Sequence, residues 1–416
     1  MTFGSGFRLL VLTAGATLIV GCGAREQSAA TIRIQPIAWE SCGAVDCADF
    51  RVPLDQFAPA FGGSALVRLR AYRQISDAVG SRHLPLVIHP GGPGADVRDA
   101  VEGARSALAP IIDDFDIYAL STRGTIDGTA FDCGMSLDDL RTVDIDTAAA
   151  HRFASACRML SADLVGRVGT RDSVADLETF RRSLGFDRVR FLGWSYGATL
   201  GAAWAMSHPS SIRSMVLDAP SDLRGQWADE LALRYSVASQ VFERNRISAA
   251  VDGAGNARER ALAREYLLYD PAVTASADKL VALRLGETPD GTNDGGIETQ
   301  IGVHCSDVTS DQARRAVAIA EPTPRIGFGA TFDRICVELG GAVHPLEGLH
   351  VDYRATRVEA MVVATMGDHV IPPVASVALA KAMRWRLVTI DALRHLSVGF
   401  DPVATKKAMA FLDVGD

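Results

Sequence analysis

Five residues, Gly193-Trp194-Ser195-Tyr196-Gly197, spell G-x-S-x-G between the apolar run Val189-Arg190-Phe191-Leu192 and the Ala-rich stretch from Ala198 to Met206. Strand, tight turn and helix form the context in which this motif holds a serine hydroxyl at the carboxyl edge of a sheet, above the positive end of the helix. A serine is a poor nucleophile until a base takes its proton. Two residues further along supply the order serine, acid, histidine that this architecture requires. Asp368 follows the apolar run Ala360–Ala364 by a short loop, and His395 follows Arg386–Ile390 by another. Their spacing leaves room for one helix and one strand, so both loops open on the edge that carries Ser195. The chemistry expected of these three residues is attack by Ser195 on a carbonyl, with His395 as base and Asp368 fixing its tautomer.

The other histidines are placed less well. His208 falls in the turn on the wrong edge, and His151 lies on a helix. His304, His344 and His350 belong to a different region of the chain. His369, beside the acid, is the alternative base, and His89 fits loop packing. Acyl transfer also needs two N–H donors for an oxyanion. Tyr196, directly after the nucleophile, is expected to give one. The second is expected from the glycine loop His89-Pro90-Gly91-Gly92-Pro93-Gly94, from Gly91 or Gly92. Pro90 and Pro93 have no N–H to offer, and Gly91 is the preferred donor. Neither a phosphate-binding G-x-x-x-x-G-K-[ST] nor a dinucleotide-binding G-x-G-x-x-G is present, and no cofactor is expected.

The elements that must position these residues follow from periodicity. Apolar runs at 84–88, 115–120, 189–192, 212–217, 360–364 and 386–390 read as buried strands. Residues 97–108, 148–164, 172–184 and 402–412 read as helices, with Asp172 or Ser173 as a cap for the third. Strands alternating with helices indicate an α/β class with a mostly parallel sheet. Between 221 and 348 the pattern changes to helical stretches (226–243, 257–268 and 311–320) joined by polar, glycine-rich connections. This is expected to be an inserted, mainly helical cap. The division is 38–220 for the first part of the core, 221–348 for the cap and 349–416 for the second part.

The chain has 416 residues, 48% hydrophobic and 22% charged, with a net charge of -8. That balance, with no basic run, argues against a nucleic-acid partner. Arg8 and the apolar run from Leu9 to Val20 read as an export signal, too short for a spanning helix. It ends Ile19-Val20-Gly21-Cys22, which resembles a bacterial lipobox. Residues 1–22 are therefore expected to be a signal peptide with Cys22 lipidated, and 23–37 a tether. The location implied is the cell envelope, membrane-anchored outside the cytoplasm; plain secretion is the alternative. Seven cysteines less Cys22 leave six, an even number in an oxidising compartment. They admit many connectivities, of which nearest-in-order pairing gives Cys42–Cys47, Cys133–Cys157 and Cys305–Cys336. No C-x-x-C or histidine cluster with metal spacing occurs, and no metal is expected.

With these residues placed, the chain resembles the α/β-hydrolase family of secreted tripeptidyl aminopeptidases and prolyl aminopeptidases. The resemblance lies in Cys42 through Pro53-Leu54-Asp55, the His89–Gly94 loop, Asp176-Leu177 with Arg182 to Gly185, the Ser195 pentapeptide, and Asp368-His369-Val370-Ile371-Pro372. Cys305-Ser306-Asp307 and Cys336 resemble the family's cap cysteines, which supports the third disulfide. The resemblance implies an α/β-hydrolase fold with Ser195 as nucleophile, Asp368 as acid and His395 as base. It also implies cap carboxylates that meet a free N-terminal ammonium. Glu230 is the first candidate, with Asp229 and Glu243 beside it, and Trp194 is a further candidate for substrate contact. The chain departs from the family at Ser121-Thr122-Arg123-Gly124-Thr125-Ile126-Asp127-Gly128, where D-x-R-G-x-G-x-S is usual, and at Arg394, where a glycine precedes the histidine. These changes bear on substrate choice more than on the triad. The activity expected is an aminopeptidase releasing tripeptides or single residues. The alternatives are a carboxylesterase or amidase on small substrates, and a catalytically silent peptide-binding lipoprotein. The oligomeric state is left open.

Overall fold

A computed structural model describes residues 36–58, 65–109, 111–125, 127–134, 147–225, 227–244, 296–320 and 329–413. Nine strands form one sheet: β1 (Glu40–Ser41), β2 (Asp46–Pro53), β3 (Leu66–Gln74), β4 (Leu84–His89), β5 (Phe115–Leu120), β6 (Val189–Trp194), β7 (Ile212–Asp218), β8 (Glu359–Thr365) and β9 (Arg386–Ile390). Their order is β1-β2-β3-β5-β4-β6-β7-β8-β9. The first three strands run antiparallel to their neighbours, and from β5 to β9 every pairing is parallel. The parallel strands need cover on both faces, which is why they read as continuous apolar runs. All six residues of β5 are buried. In β3, by contrast, buried Val67, Leu69 and Ala71 alternate with less buried Arg68 and Arg70.

The side-chain alternation of the strands splits the core in two. Leu86 and Ile88 face one cluster while Val87 faces the other. On the first face pack α1 (Val97–Leu108) and α10 (Pro402–Asp413). Asp96 caps α1 by accepting from the N–H groups of Arg98 at 2.7 Å and Asp99 at 3.4 Å. The opposite face carries α2 (Thr147–Leu160), α3 (Thr170–Ser183), α4 (Tyr196–Ser207) and α9 (Pro373–Met383). Residues 197–206 of α4 are all buried, so this helix is apolar on every side. Its Trp204 meets Phe191 of β6 edge-on, with centroids 5.9 Å apart.

Between 221 and 348 the described residues hold four α-helices and no strand: α5 (Trp227–Arg244), α6 (Gly296–Asp307), α7 (Ser310–Ala320) and α8 (Gly329–Leu339). The segment enters after β7 and leaves before β8, which are neighbours in the sheet. Helix α6 lies over the loops at the carboxyl edge. A Cβ on Gly94 would approach Gly296 O at 2.9 Å, and Thr299 Oγ1 donates to Gly124 O at 2.7 Å. The structure joins Cys42 to Cys47, Cys133 to Cys157 and Cys305 to Cys336. The third bridge fastens α6 to α8.

Helix α3 corrects one local expectation. It begins at Thr170 behind Gly169, which has no side chain to cap with, and the Thr170 N–H donates to Asp307 Oδ1 at 2.6 Å. Asp172 sits inside the first turn instead, where it meets His344 Nδ1 at 3.0 Å and Arg123 at 3.8 Å. Cys22, the N-terminal segment and the helix expected at 257–268 lie outside the described residues. None of the described helices is long and apolar enough to cross a membrane.

Candidate active site

Ser195 sits between the last residue of β6 and the first of α4 with φ 54° and ψ -123°. For a residue with a Cβ this region is strained by roughly 1–3 kcal/mol. The neighbours over-determine it. The Ser195 N–H donates to Asp218 O at 2.8 Å, and the Ser195 carbonyl accepts from Ala198 N at 2.9 Å. Gly197 has no room for a side chain, since a Cβ there would collide with the His89 carbonyl.

The acid and base come from the loops after β8 and β9. His395 Nδ1 lies 2.8 Å from Asp368 Oδ2. Asp368 is 1% exposed and His395 9%. The other oxygen of Asp368, Oδ1, accepts from the backbone N–H groups of Val370 at 2.8 Å and Ile371 at 3.0 Å. Those two bonds fix the plane of the carboxyl group. An acid oxygen on Nδ1 holds the ring's proton there and leaves Nε2 to act as the base. His395 therefore takes the position beside Asp368 that His369 was the alternative for.

Two further contacts bind the base loop to the nucleophile, and neither was foreseen. Asp218, the last residue of β7, is fully buried, and its Oδ2 accepts from the N–H groups of Ser397 and Val398, both at 2.7 Å. Its backbone carbonyl is the acceptor for Ser195. One residue thus holds both the nucleophile and the loop that carries His395. Burial pushes the Asp218 carboxyl up to about 6, against the lowering effect of those two N–H groups. Trp194 makes the second tie, donating its indole N–H to Val398 O at 2.9 Å.

The glycine loop after β4 lies directly against the elbow. A Cβ on Gly91, whose φ is +115°, would stand 2.6 Å from Trp194 O, 3.1 Å from Ser195 Cβ and 3.3 Å from Tyr196 N. Only glycine permits that approach, and it brings the loop beside the Tyr196 N–H as an oxyanion site requires. The choice between its two glycines changes, however. The Gly91 N–H donates to His89 Nδ1 at 3.2 Å. His89 is buried, which pushes its pKa down to about 4 and keeps the ring a neutral acceptor. With Gly91 engaged, Gly92 becomes the loop's candidate donor, alongside Tyr196.

The Tyr196 side chain runs under the cap. Its hydroxyl is 3.1 Å from Thr170 Oγ1, which donates to Asp307 Oδ2 at 2.6 Å. Burial raises both the Tyr196 hydroxyl and the Asp307 carboxyl, the latter to about 6. Arg123, which is 0% exposed, steadies the neighbouring loop after β5. Its guanidinium grips Asp176 through Nε at 2.6 Å and Nη2 at 2.9 Å, and Nη2 also donates to Pro53 O at 2.9 Å. The motif around Arg123 and Asp176 was visible in the sequence, but its partner at the end of β2 was not.

The expected substrate contacts fare differently. Glu230 in α5 is paired with Arg234 one turn along, at 3.0 Å from Nε. Arg234 also lies over the Trp227 ring, 5.0 Å from its centroid. Glu230 is thus a partner in a cap ion pair rather than a lone carboxylate, and Trp194 is a strut to the base loop. Asp229 is exposed on the same helix. The Glu243 side chain lies outside the described set.

Serine protease Hip1 of Mycobacterium tuberculosis is 30% identical over 240 residues, 51% of this chain and 45% of that protein. Tripeptidyl aminopeptidase of Streptomyces lividans is 27% identical over 205 residues, 44% of this chain and 38% of that one. The chain thus matches less than half the length of these relatives. Among solved structures, proline iminopeptidase from Mycobacterium smegmatis aligns over 88% of this chain and 97% of its own, at 14% identity and a TM-score of 0.44. A family model for the alpha/beta hydrolase fold matches residues 85–402. With a parallel sheet, a serine elbow and a carboxylate–histidine pair on one edge, the chain belongs to the α/β-hydrolase family.

Proposed function

We propose that this protein is a serine hydrolase whose preferred substrates are peptides with a free N-terminus, from which it releases short peptides or single residues. The observation that carries the reading is the 2.8 Å contact between His395 and Asp368 on the sheet edge that holds the strained Ser195. Ser195 attacks the scissile carbonyl as His395 takes its proton. The N–H groups of Tyr196 and Gly92 receive the oxyanion, and His395 returns the proton to the leaving amine. Water then resolves the acyl-enzyme with His395 again as base. The relatives named as a serine protease and a tripeptidyl aminopeptidase support the peptidase reading. The lipobox-like segment supports export, with Cys22 as the membrane anchor.

A second reading keeps the chemistry and changes the substrate to small esters or amides. The ion pair between Glu230 and Arg234 favours it, because the carboxylate expected to meet an ammonium is already engaged. The test is a panel of free-amine aminoacyl and tripeptidyl fluorogenic substrates, their N-blocked counterparts and p-nitrophenyl esters. Preference for free amines is the expected result, and strict preference for blocked substrates or esters would replace the peptidase reading with the second one. Labelling by a fluorophosphonate, lost in Ser195→Ala, is the expected sign of the nucleophile. Absence of labelling would mean a silent binding protein.

A further inference from the structure

The amino edge of the parallel sheet carries a feature that the active site does not use. Beneath the starts of β6, β7 and β8 lies a concavity of about 330 Å³, with Arg188, Arg213, Arg354 and Arg357 in its wall. These arginines come from separate segments: the approach to β6, the second residue of β7, and the 3-10 turn Tyr353–Arg357 that leads into β8. No basic run in the sequence announces them; the fold brings them together. Pro209, Ile212 and Val358 are buried and form an apolar floor, with Ser210 beside them. Against four guanidiniums the wall has one carboxylate, Glu359. Asp352 pairs with Arg354 at 2.9 Å from Nε.

Single exposed arginines are ordinary on a protein surface. Four lining one concavity are different, because they make a basic groove in a chain whose net charge is -8. An anion seated in such a groove can be shared by several guanidiniums. Arginine presents its donors as a planar fork that matches phosphate oxygens two at a time. We propose that this groove is a binding site for a phosphate-class anion, held by Arg188 and Arg357 with Arg213 and Arg354 beside them. The ligand's phosphate is either free or the headgroup of a phospholipid. Since Ser195 lies at the opposite ends of the same strands, an occupied groove leaves the catalytic mouth open.

The test uses the full-length protein and inorganic pyrophosphate, titrated at constant ionic strength with chloride as the balancing ion. Saturable binding is expected, weakened at least tenfold in Arg188→Ala/Arg357→Ala, with kcat/KM on a small ester unchanged by the substitutions or by the ligand. Unchanged kcat/KM also certifies that the variant is folded. If the double variant does not fold, each single substitution is expected to weaken binding about threefold. Displacement of pyrophosphate by phosphatidylglycerol vesicles, but not by phosphatidylcholine vesicles, assigns the site to a lipid headgroup. Binding without displacement assigns it to free phosphate. No saturable binding beyond the chloride control, or equal binding by wild type and variant, overturns the proposal.

Discussion

The strands β7 and β8 lie side by side, β7 ending in a buried aspartate and the loop after β8 carrying another, yet the two carboxylates have opposite assignments. In the β8 loop, Asp368 spends one oxygen on its own loop, through Val370 and Ile371, and offers the other to the His395 ring. At the end of β7, Asp218 spends one oxygen on a distant loop, through Ser397 and Val398, while its Oδ1 is buried without a hydrogen-bond partner among the described residues. The first fixes the imidazole; the second fixes the backbone on which the imidazole is mounted. An active site of this kind needs both, because a correctly oriented ring on a loose loop still misses its nucleophile. Only the first touches the histidine ring.

The sharpest way to break this distinction is to compare the two positions in one assay. With Ser195→Ala as the floor, at a loss on the order of a million-fold, Asp368→Asn is expected to lower kcat by about 10⁴-fold, because the imidazole loses its tautomer. Asp218→Ala is expected to cost kcat about 100-fold with KM unchanged, and Asp218→Asn, which keeps an acceptor for Ser397 and Val398, to recover most of that. If Asp218→Ala matched Asp368→Asn, the division between ring and loop would be lost.

Stability against pH sharpens the contrast further. The Asp218 carboxyl is held at about 6 by burial, above its ordinary value of 3.8. Between those values the folded protein keeps a proton that the unfolded chain releases, so this group stabilises the fold as pH falls from 6 towards 4 and costs stability above 6. Asp218→Asn removes the effect. Its stability relative to wild type is expected to be more favourable at pH 7 than at pH 4 by on the order of 3 kcal/mol. Chemical denaturation at the two pH values checks the sign. A smaller effect is expected at the second tie to the base loop. Trp194→Phe forfeits the bond to Val398, and a loss of about 1 kcal/mol in stability with a few-fold fall in kcat is the expected result. The smallest change is expected in the cap, where Glu230→Gln should leave ester turnover within about twofold, as an i,i+4 helical ion pair contributes only ~0.3–0.5 kcal/mol.

The candidate triad was legible because its signals are local. Ser195, Asp368 and His395 each follow a strand that betrays itself by an apolar run, and chain order did the rest. Asp218 stood in plain view as the end of a strand, but its partners are 179 and 180 positions away. Nothing local distinguishes a strand end that latches a loop from one that meets water. The glycine loop does pack against the elbow as expected, while the choice of donor within it turned on a ring orientation at His89 that sequence does not encode visibly. Helix α6 escaped notice because most of its residues are buried, so it shows no polar face for a period of 3.6 to reveal. The helices α5 and α7, each with an exposed face, were read within a residue or two of their bounds.

The order of these elements along the chain also governs when a competent site exists. The elbow, the glycine loop and β4 to β7 are all synthesised before the cap, whereas Asp368 and His395 arrive with β8 and β9. A nascent or prematurely ended chain that stops in the cap therefore carries the serine without its base. Chains generally fold from the N-terminal side as they emerge, so the sheet can be built on β7 while the hydroxyl is still inert. On the proposed mechanism, hydrolytic power appears only when β8 and β9 dock and the loop after β9 is captured by Asp218.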